Sequence, residues 1–252
     1  MISFDSHTLG TLSCQVGGLG GDSAPRMVCI LCHGFGAPAT DLVPLANELL
    51  QLEPRLAEAV GFVFPAAPLD LGPQGMPGGR AWWPLDMNRL NAALVRGDLR
   101  DLREDVPVGL ETARQVLLSL IDDVKQLTGL DNRHLVLGGF SQGAMLSTDV
   151  ALHLPECAAG LCALSGNLLA EAVWTAQLEV SQPIPVLQSH GEQDPILPFS
   201  GATALRDLLV DAGFSVDFLP FTGEHTIPWA VLQRVARWLL ERLDPTVAAR
   251  TD

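Results

Sequence analysis

Residues 138–145 read GGFSQGAM, and within them Gly139, Ser141 and Gly143 make a G-x-S-x-G pattern. A serine hydroxyl is a weak nucleophile until a base held by an acid takes its proton. The pattern has physical sense where a strand turns sharply into a helix. The serine oxygen then projects above the sheet edge, and the flanking glycines let strand and helix backbones nearly touch. The next backbone N–H, that of Gln142, points at the oxyanion that develops during acyl transfer.

Six histidines compete for the role of base. His225, in FTGEHTIP, stands between the last apolar strand pattern and the last helical one. His7, His33, His134, His153 and His190 fall before the core, in a glycine turn or within elements, and are read as structural. For the acid, SHGEQDPILP places Asp194 in a loop after a strand pattern, with Glu192 as its near rival and Asp217 inside a strand pattern. The chain order Ser141, Asp194, His225 is that of α/β-hydrolases and differs from that of other serine hydrolases.

A second stretch with chemical content is CILCHGFG, residues 29–36. It matches C-x-x-C-H haem attachment, a C-x-x-C dithiol, or a glycine turn that supplies an oxyanion donor. On a strand, Cys29 and Cys32 would lie about 10 Å apart on opposite faces, beyond the roughly 4.4–6.8 Å that a disulfide spans. A redox pair sits instead at a helix start. The cysteines therefore read as small apolar core residues, and His33-Gly34-Phe35-Gly36 as the oxyanion turn, with Phe35 N–H as second donor.

These residues need elements to hold them. MVCILC is a continuous apolar run followed by glycine, as suits a buried parallel strand. ATDLVPLANELL has helical spacing, with Thr40 or Asp41 as its cap. Strand patterns recur in GFVFPAAP, HLVLGGFS, AAGLCALSG, IPVLQSHG and FSVDFLPF, and helical ones at 107–127, after Ser141, at 199–213 and in the closing stretch from Thr226. This alternation predicts an α/β fold, a mainly parallel central sheet with helices on both faces. The segment at about 69–106 shows no clear period. It is expected to be a long connection or a substrate-site insertion in one domain spanning 1–252.

Composition narrows the functional classes. A chain of 252 residues with 48% apolar residues can build one substantial core. Its net charge of −14 argues against nucleic acid or an anionic membrane as partner. No apolar run reaches the roughly 18–20 residues of a membrane span, and the first residues lack the features of a secretory signal. Five cysteines, an odd number, suit reduced thiols in a cytoplasmic protein.

On LCHGFGAPATD, FPAAP, GGRAWW, REDVPVGLETA, GGFSQGAM, LSG, HGEQDPILP and GEHTIP, in that order, the chain resembles the acyl-protein thioesterase / small carboxylesterase family of α/β-hydrolases. The resemblance covers roughly 27–240. It implies hydrolysis of carboxylic esters or thioesters through an acyl-serine, with no metal or organic cofactor and a small-molecule acyl ester or thioester as partner. It places Ser141, Asp194 and His225 on the family triad, and Phe35 with Gln142 on the oxyanion hole. Trp82 and Trp83 fall where the family builds its acyl site. The sequence departs from the family there: Trp82-Trp83-Pro84-Leu85-Asp86 stands where a Trp-Phe-Asp or Trp-Tyr-Asp is usual, and a charged stretch, 87–102, follows. The rival expectations are a dienelactone-hydrolase-like or peptidase-like enzyme of the same fold, or a non-catalytic binding protein built on it.

Overall fold

In the computed structural model, which describes residues 2–19, 24–96, 103–104, 106–244 and 246, continuous apolar runs become strands and amphipathic ones become helices. In chain order the strands are β1 (Asp5–Leu9), β2 (Leu12–Gly17), β3 (Met27–Cys32), β4 (Val60–Pro65), β5 (Leu69–Asp70), β6 (Arg80–Ala81), β7 (Leu135–Phe140), β8 (Gly160–Leu164), β9 (Pro185–Gly191) and β10 (Ser215–Phe221). The helices are α1 (Val43–Leu52), α2 (Met87–Arg96), α3 (Leu110–Thr128), α4 (Gln142–His153), α5 (Glu171–Leu178), α6 (Phe199–Asp211) and α7 (Trp229–Leu243).

Eight strands form one sheet in the order β1-β2-β4-β3-β7-β8-β9-β10. From β4 to β10 every pairing is parallel, while β1 and β2 join one edge antiparallel. Every residue of β3, β4 and β8 is buried, which is why these strands read as unbroken apolar runs. Helices cover both faces. Leu117, Leu120 and Ile121 of α3 share one core with residues of α4, α5 and α6, whereas Leu49 of α1 shares the other with Val231, Val235 and Leu239 of α7. Cys32 belongs to the first core and Cys29 to the second, on opposite faces of β3.

Two sequence expectations need correction. Neither Thr40 nor Asp41 caps α1; Leu42 is the N-cap and makes no side-chain cap bond. Pro44 lies in the first turn, where its preset φ suits a helix start and its missing N–H removes one donor that a cap would satisfy. The stretch at 69–106 is also more regular than its sequence suggests, since it contains the β5–β6 hairpin and α2. Residues 97–102 and 105 of that stretch lie outside the described residues.

In a parallel sheet all the strands end at one edge, and loops leaving that edge meet. The turn 33–36 leaves β3, Ser141 leaves β7, Asp194 follows β9 and His225 follows β10. The final pairs of β3 with β7 (Cys32 opposite Gly139) and of β9 with β10 (Gly191 opposite Phe221) bring these loops together two by two.

Candidate active site

Ser141 stands between β7 and α4 with φ 55° and ψ −119°, a backbone state that L-residues rarely adopt. Its surroundings hold it there. Ser141 N donates to Leu164 O of β8 (2.9 Å), and its carbonyl oxygen accepts from Ala144 N (3.0 Å) and Met145 N (3.1 Å) at the start of α4. The glycines on each side are required by space: a Cβ on either Gly139 or Gly143 would run into the Cys32 carbonyl oxygen. Gln142 opens α4, so its amide has no carbonyl one turn earlier to bond and is free for another acceptor.

The turn after β3 lies against this serine, with a Cβ on Gly34 falling 3.3 Å from Ser141 Cβ. His33 is buried and serves as a brace. Its Nε2 accepts from Ala67 N at 3.1 Å, so Nδ1 carries the proton and donates to Gly34 O at 2.8 Å. Burial lowers its pKa and favours this neutral form, with the Gly34 bond opposing. Gly36, at φ 80°, donates to Arg80 O at 2.8 Å. The Trp82 indole donates to His33 O at 2.9 Å. Phe35 is thereby carried on a turn fixed from three sides.

Asp194 and His225 meet across the loops after β9 and β10: His225 Nδ1 lies 2.6 Å from Asp194 Oδ2. Ile196 N and Leu197 N donate to the other oxygen, Oδ1, at 2.8 and 2.9 Å. Burial alone would raise the Asp194 pKa, but His190, His225 and the two backbone amides donate to the carboxylate and hold it well below the usual range. The histidine loop is tied down as well. Glu192 N donates to Phe221 O, Gln193 N to Gly223 O, and Ser165 Oγ reaches Thr226 O at 3.4 Å. The His225 ring packs on Phe140, with centroids 4.6 Å apart.

The other candidates for these positions are engaged elsewhere. Glu192 is exposed and accepts from Thr222 Oγ1, and Asp217 pairs with Arg234 at 2.6 Å. His7 lies exposed on the edge strand β1, His134 bonds Asp131, and His153 bonds the Asp149 carbonyl within its own helix. His190 is the exception, being buried beside Asp194.

Ser141, His225, Phe35, Gln142 and Trp83 line one cleft of about 1090 Å³. Its apolar wall includes Met145, Leu168, Leu169, Ile196 and Leu197. Trp82 is absent from that lining and lies behind it, with its indole on His33. Of the two tryptophans that the sequence places at the family's acyl-site position, Trp83 lines the cleft and Trp82 does not. The wall residues 167–169 and 196–197 carry no chemical motif of their own in the sequence, although both follow strands that end at the edge where Ser141 stands. Among the described residues, no group of three or more His, Cys, Asp or Glu could hold a metal ion, and no helix is long and apolar enough to cross a membrane.

A parallel sheet with helices on both faces, a serine on a strained strand-to-helix turn, and an Asp–His pair from later loops define an α/β-hydrolase. Residues 20–241 match the Phospholipase/Carboxylesterase family model, and the chain belongs to that family. Similar relatives include acyl-protein thioesterase 1 of Eremothecium gossypii, 31% identical over 70% of this chain and 70% of its own length. Acyl-protein thioesterase 1 of Neurospora crassa is 29% identical over 88% of this chain and 89% of its own. Among solved structures, esterase PE8 has a TM-score of 0.74 at 29% identity and covers 95% of this chain and 98% of its own. The protein is an enzyme of the esterase/thioesterase type.

Proposed function

We propose that Ser141 is the nucleophile, His225 the general base and Asp194 the acid that orients it, in a two-step hydrolysis of carboxylic esters or thioesters. The observation that carries this reading is the 2.6 Å contact between Asp194 Oδ2 and His225 Nδ1, in a loop pair opening on the cleft that Ser141 lines. With Nδ1 committed to the carboxylate, His225 Nε2 is left for the serine proton. Ser141 Oγ adds to the acyl carbonyl as His225 takes that proton, and the Phe35 and Gln142 N–H groups stabilise the tetrahedral oxyanion. The intermediate collapses to an acyl-serine as His225 protonates the departing alcohol or thiol. Water, deprotonated by the same histidine, then releases the acid and restores the serine.

The apolar wall formed by Met145, Leu168, Leu169 and Trp83 supports an apolar acyl group as the part of the substrate held in the cleft. The segment at 69–106 is read as a substrate-site insertion in a single hydrolase domain, since Trp83, Pro84, Leu85, Asp86 and Arg89 from it line the cleft. Five free thiols suit a reducing, cytoplasmic setting. A fluorophosphonate probe tests the catalytic reading. Stoichiometric modification of Ser141, with loss of activity toward a panel of acyl esters and thioesters, is expected. A wild-type protein that neither reacts with the probe nor hydrolyses any member of the panel would be a binding protein on a hydrolase fold.

A further inference from the structure

His190 is the penultimate residue of β9, four positions before Asp194, and its side chain has no exposed surface. Its Nε2 lies 2.6 Å from the Leu197 carbonyl oxygen and 3.3 Å from Asp194 Oδ2. Both neighbours are acceptors, so Nε2 carries a proton and donates to both. Nδ1 is buried without a hydrogen-bond partner. On another side the ring packs against Phe199 of α6, with centroids 6.2 Å apart.

The carboxylate of Asp194 thus receives donors from three directions. Ile196 N and Leu197 N occupy Oδ1, while His225 Nδ1 and His190 Nε2 converge on Oδ2. The terminal torsion of an aspartate is soft, and a carboxylate held at one oxygen only can swing its other oxygen away from a partner. A second donor on Oδ2 limits that swing. His190 also closes the loop on itself, because Leu197, whose carbonyl it holds, donates its own amide to the same carboxylate and lines the cleft.

We propose that His190 is a positioning residue for ester hydrolysis: its Nε2–H, shared between Leu197 O and Asp194 Oδ2, fixes the carboxylate oxygen that orients His225. The inference rests on the assignment of Asp194 and His225 given above. The shared donor also draws negative charge from Oδ2. Without it the oxygen is more basic, the His225 imidazolium is better stabilised, and the acid limb of the rate profile moves to higher pH. The other carboxylates of the two loops, Glu192 and Glu224, are exposed and common to wild type and variants.

The test compares His190→Phe, which keeps a buried ring and removes the donor, with His190→Gln, whose amide can return one. For a short acyl ester, His190→Phe should lower kcat by about ten- to a hundredfold with KM changed by less than about threefold. Its acid limb should shift upward, and His190→Gln should recover most of the rate. Wild-type kcat and an unmoved acid limb in His190→Phe, or equal loss in both variants, would overturn the inference. Fluorophosphonate labelling of the wild type separates the two failures, since absent labelling strikes at the triad and not at His190 alone. If His190→Phe does not fold, 15N-histidine NMR of the wild type decides: an Nε2–H tautomer at position 190 supports the inference, and an Nδ1–H tautomer overturns it.

Discussion

The Gln142 side chain donates from Nε2 to the Trp83 carbonyl oxygen at 2.9 Å, joining the residue after the candidate nucleophile to the wall of the cleft. Its Oε1 accepts from Trp82 N at 3.0 Å, so one buried amide satisfies two consecutive backbone groups of the β6 exit. The same residue has two separable parts. Its backbone N–H is the one proposed for the oxyanion, and its side chain holds the segment that walls the cleft.

That separation can be measured. Gln142→Leu keeps the backbone N–H and removes both side-chain bonds, leaving the Trp82 amide and Trp83 carbonyl buried and unpaired. Each orphaned group costs about 1–3 kcal/mol, so a loss of about 2–6 kcal/mol in chemical denaturation is expected. The rate with a short ester should stay within about tenfold of wild type, whereas preference among longer acyl chains should weaken. Unchanged stability would show that the side-chain amide is not the anchor.

Ser141 allows a test of strain and chemistry together. Ser141→Ala removes the hydroxyl and leaves the Cβ in its disfavoured backbone state, so activity should vanish while the fold remains. Ser141→Gly removes both. Strained positions of this kind cost about 1–3 kcal/mol, partly offset by the extra freedom that glycine gives the unfolded chain. Ser141→Gly should therefore melt no lower than Ser141→Ala, with both inactive. Residual activity in either above about a tenth of wild type would remove Ser141 from the nucleophile role.

Much of this site could be read from the chain because its signals are local. GGFSQG carries its own geometry, since a strand, a strained turn and a helix start occupy adjacent residues. MVCILC announced a central strand because β3 is buried on both faces. The β1–β2 hairpin and α5 are less legible: β1 is exposed along all but its last residue, α5 is only eight residues long, and the alternation of Leu12, Cys14 and Val16 in β2 is a short signal on its own. Gly10, at the hairpin turn, is held by Asp123 Oδ2 of α3 at 2.6 Å, a contact between residues that no local pattern links. The place of Trp82 behind the cleft, and of His190 beside Asp194, likewise depends on which loops the sheet order brings together.

Asp194 makes stability depend on pH with a definite sign. Its folded-state pKa lies below the ordinary aspartate value, so the carboxylate stabilises the fold above that ordinary range, around pH 4, and the contribution is lost as pH falls through the folded value. The difference in unfolding free energy between wild type and Asp194→Asn should be constant above about pH 5 and shrink progressively below about pH 4. Urea titrations across that range provide the measurement. A difference that grows on acidification would contradict the direction of the shift.

The thiols should be bystanders. Burial pushes Cys32 up to about 12, with a Ser147 bond opposing, and burial likewise raises Cys29 strongly. Neither should be alkylated in the native protein at neutral pH, and the partly exposed Cys157 should react first. Cys29→Ala and Cys32→Ala should each cost about 1 kcal/mol or a little more through lost packing, with kcat/KM retained. Activity that disappears while the melting temperature holds would return a chemical role to the pair.

The two tryptophans should separate cleanly although they are adjacent and both buried. Trp83 lines the cleft, and a smaller ring there should enlarge the acyl site. Trp82 instead donates its indole proton to the carbonyl of His33, the residue that braces the turn carrying Phe35. Full truncation to alanine at such sites costs about 3–5 kcal/mol, enough to obscure function, so phenylalanine is the more informative replacement. Trp83→Phe should shift the kcat/KM profile toward longer or bulkier acyl groups with a modest change in stability. Trp82→Phe should leave the profile's shape intact and lower kcat for all chain lengths alike, because a loosened turn misplaces the Phe35 N–H for every substrate. The measurement is kcat/KM across short to long acyl esters for both variants, alongside thermal melts. A Trp82→Phe variant that changes chain-length preference, or a Trp83→Phe variant that does not, would reverse this division of roles.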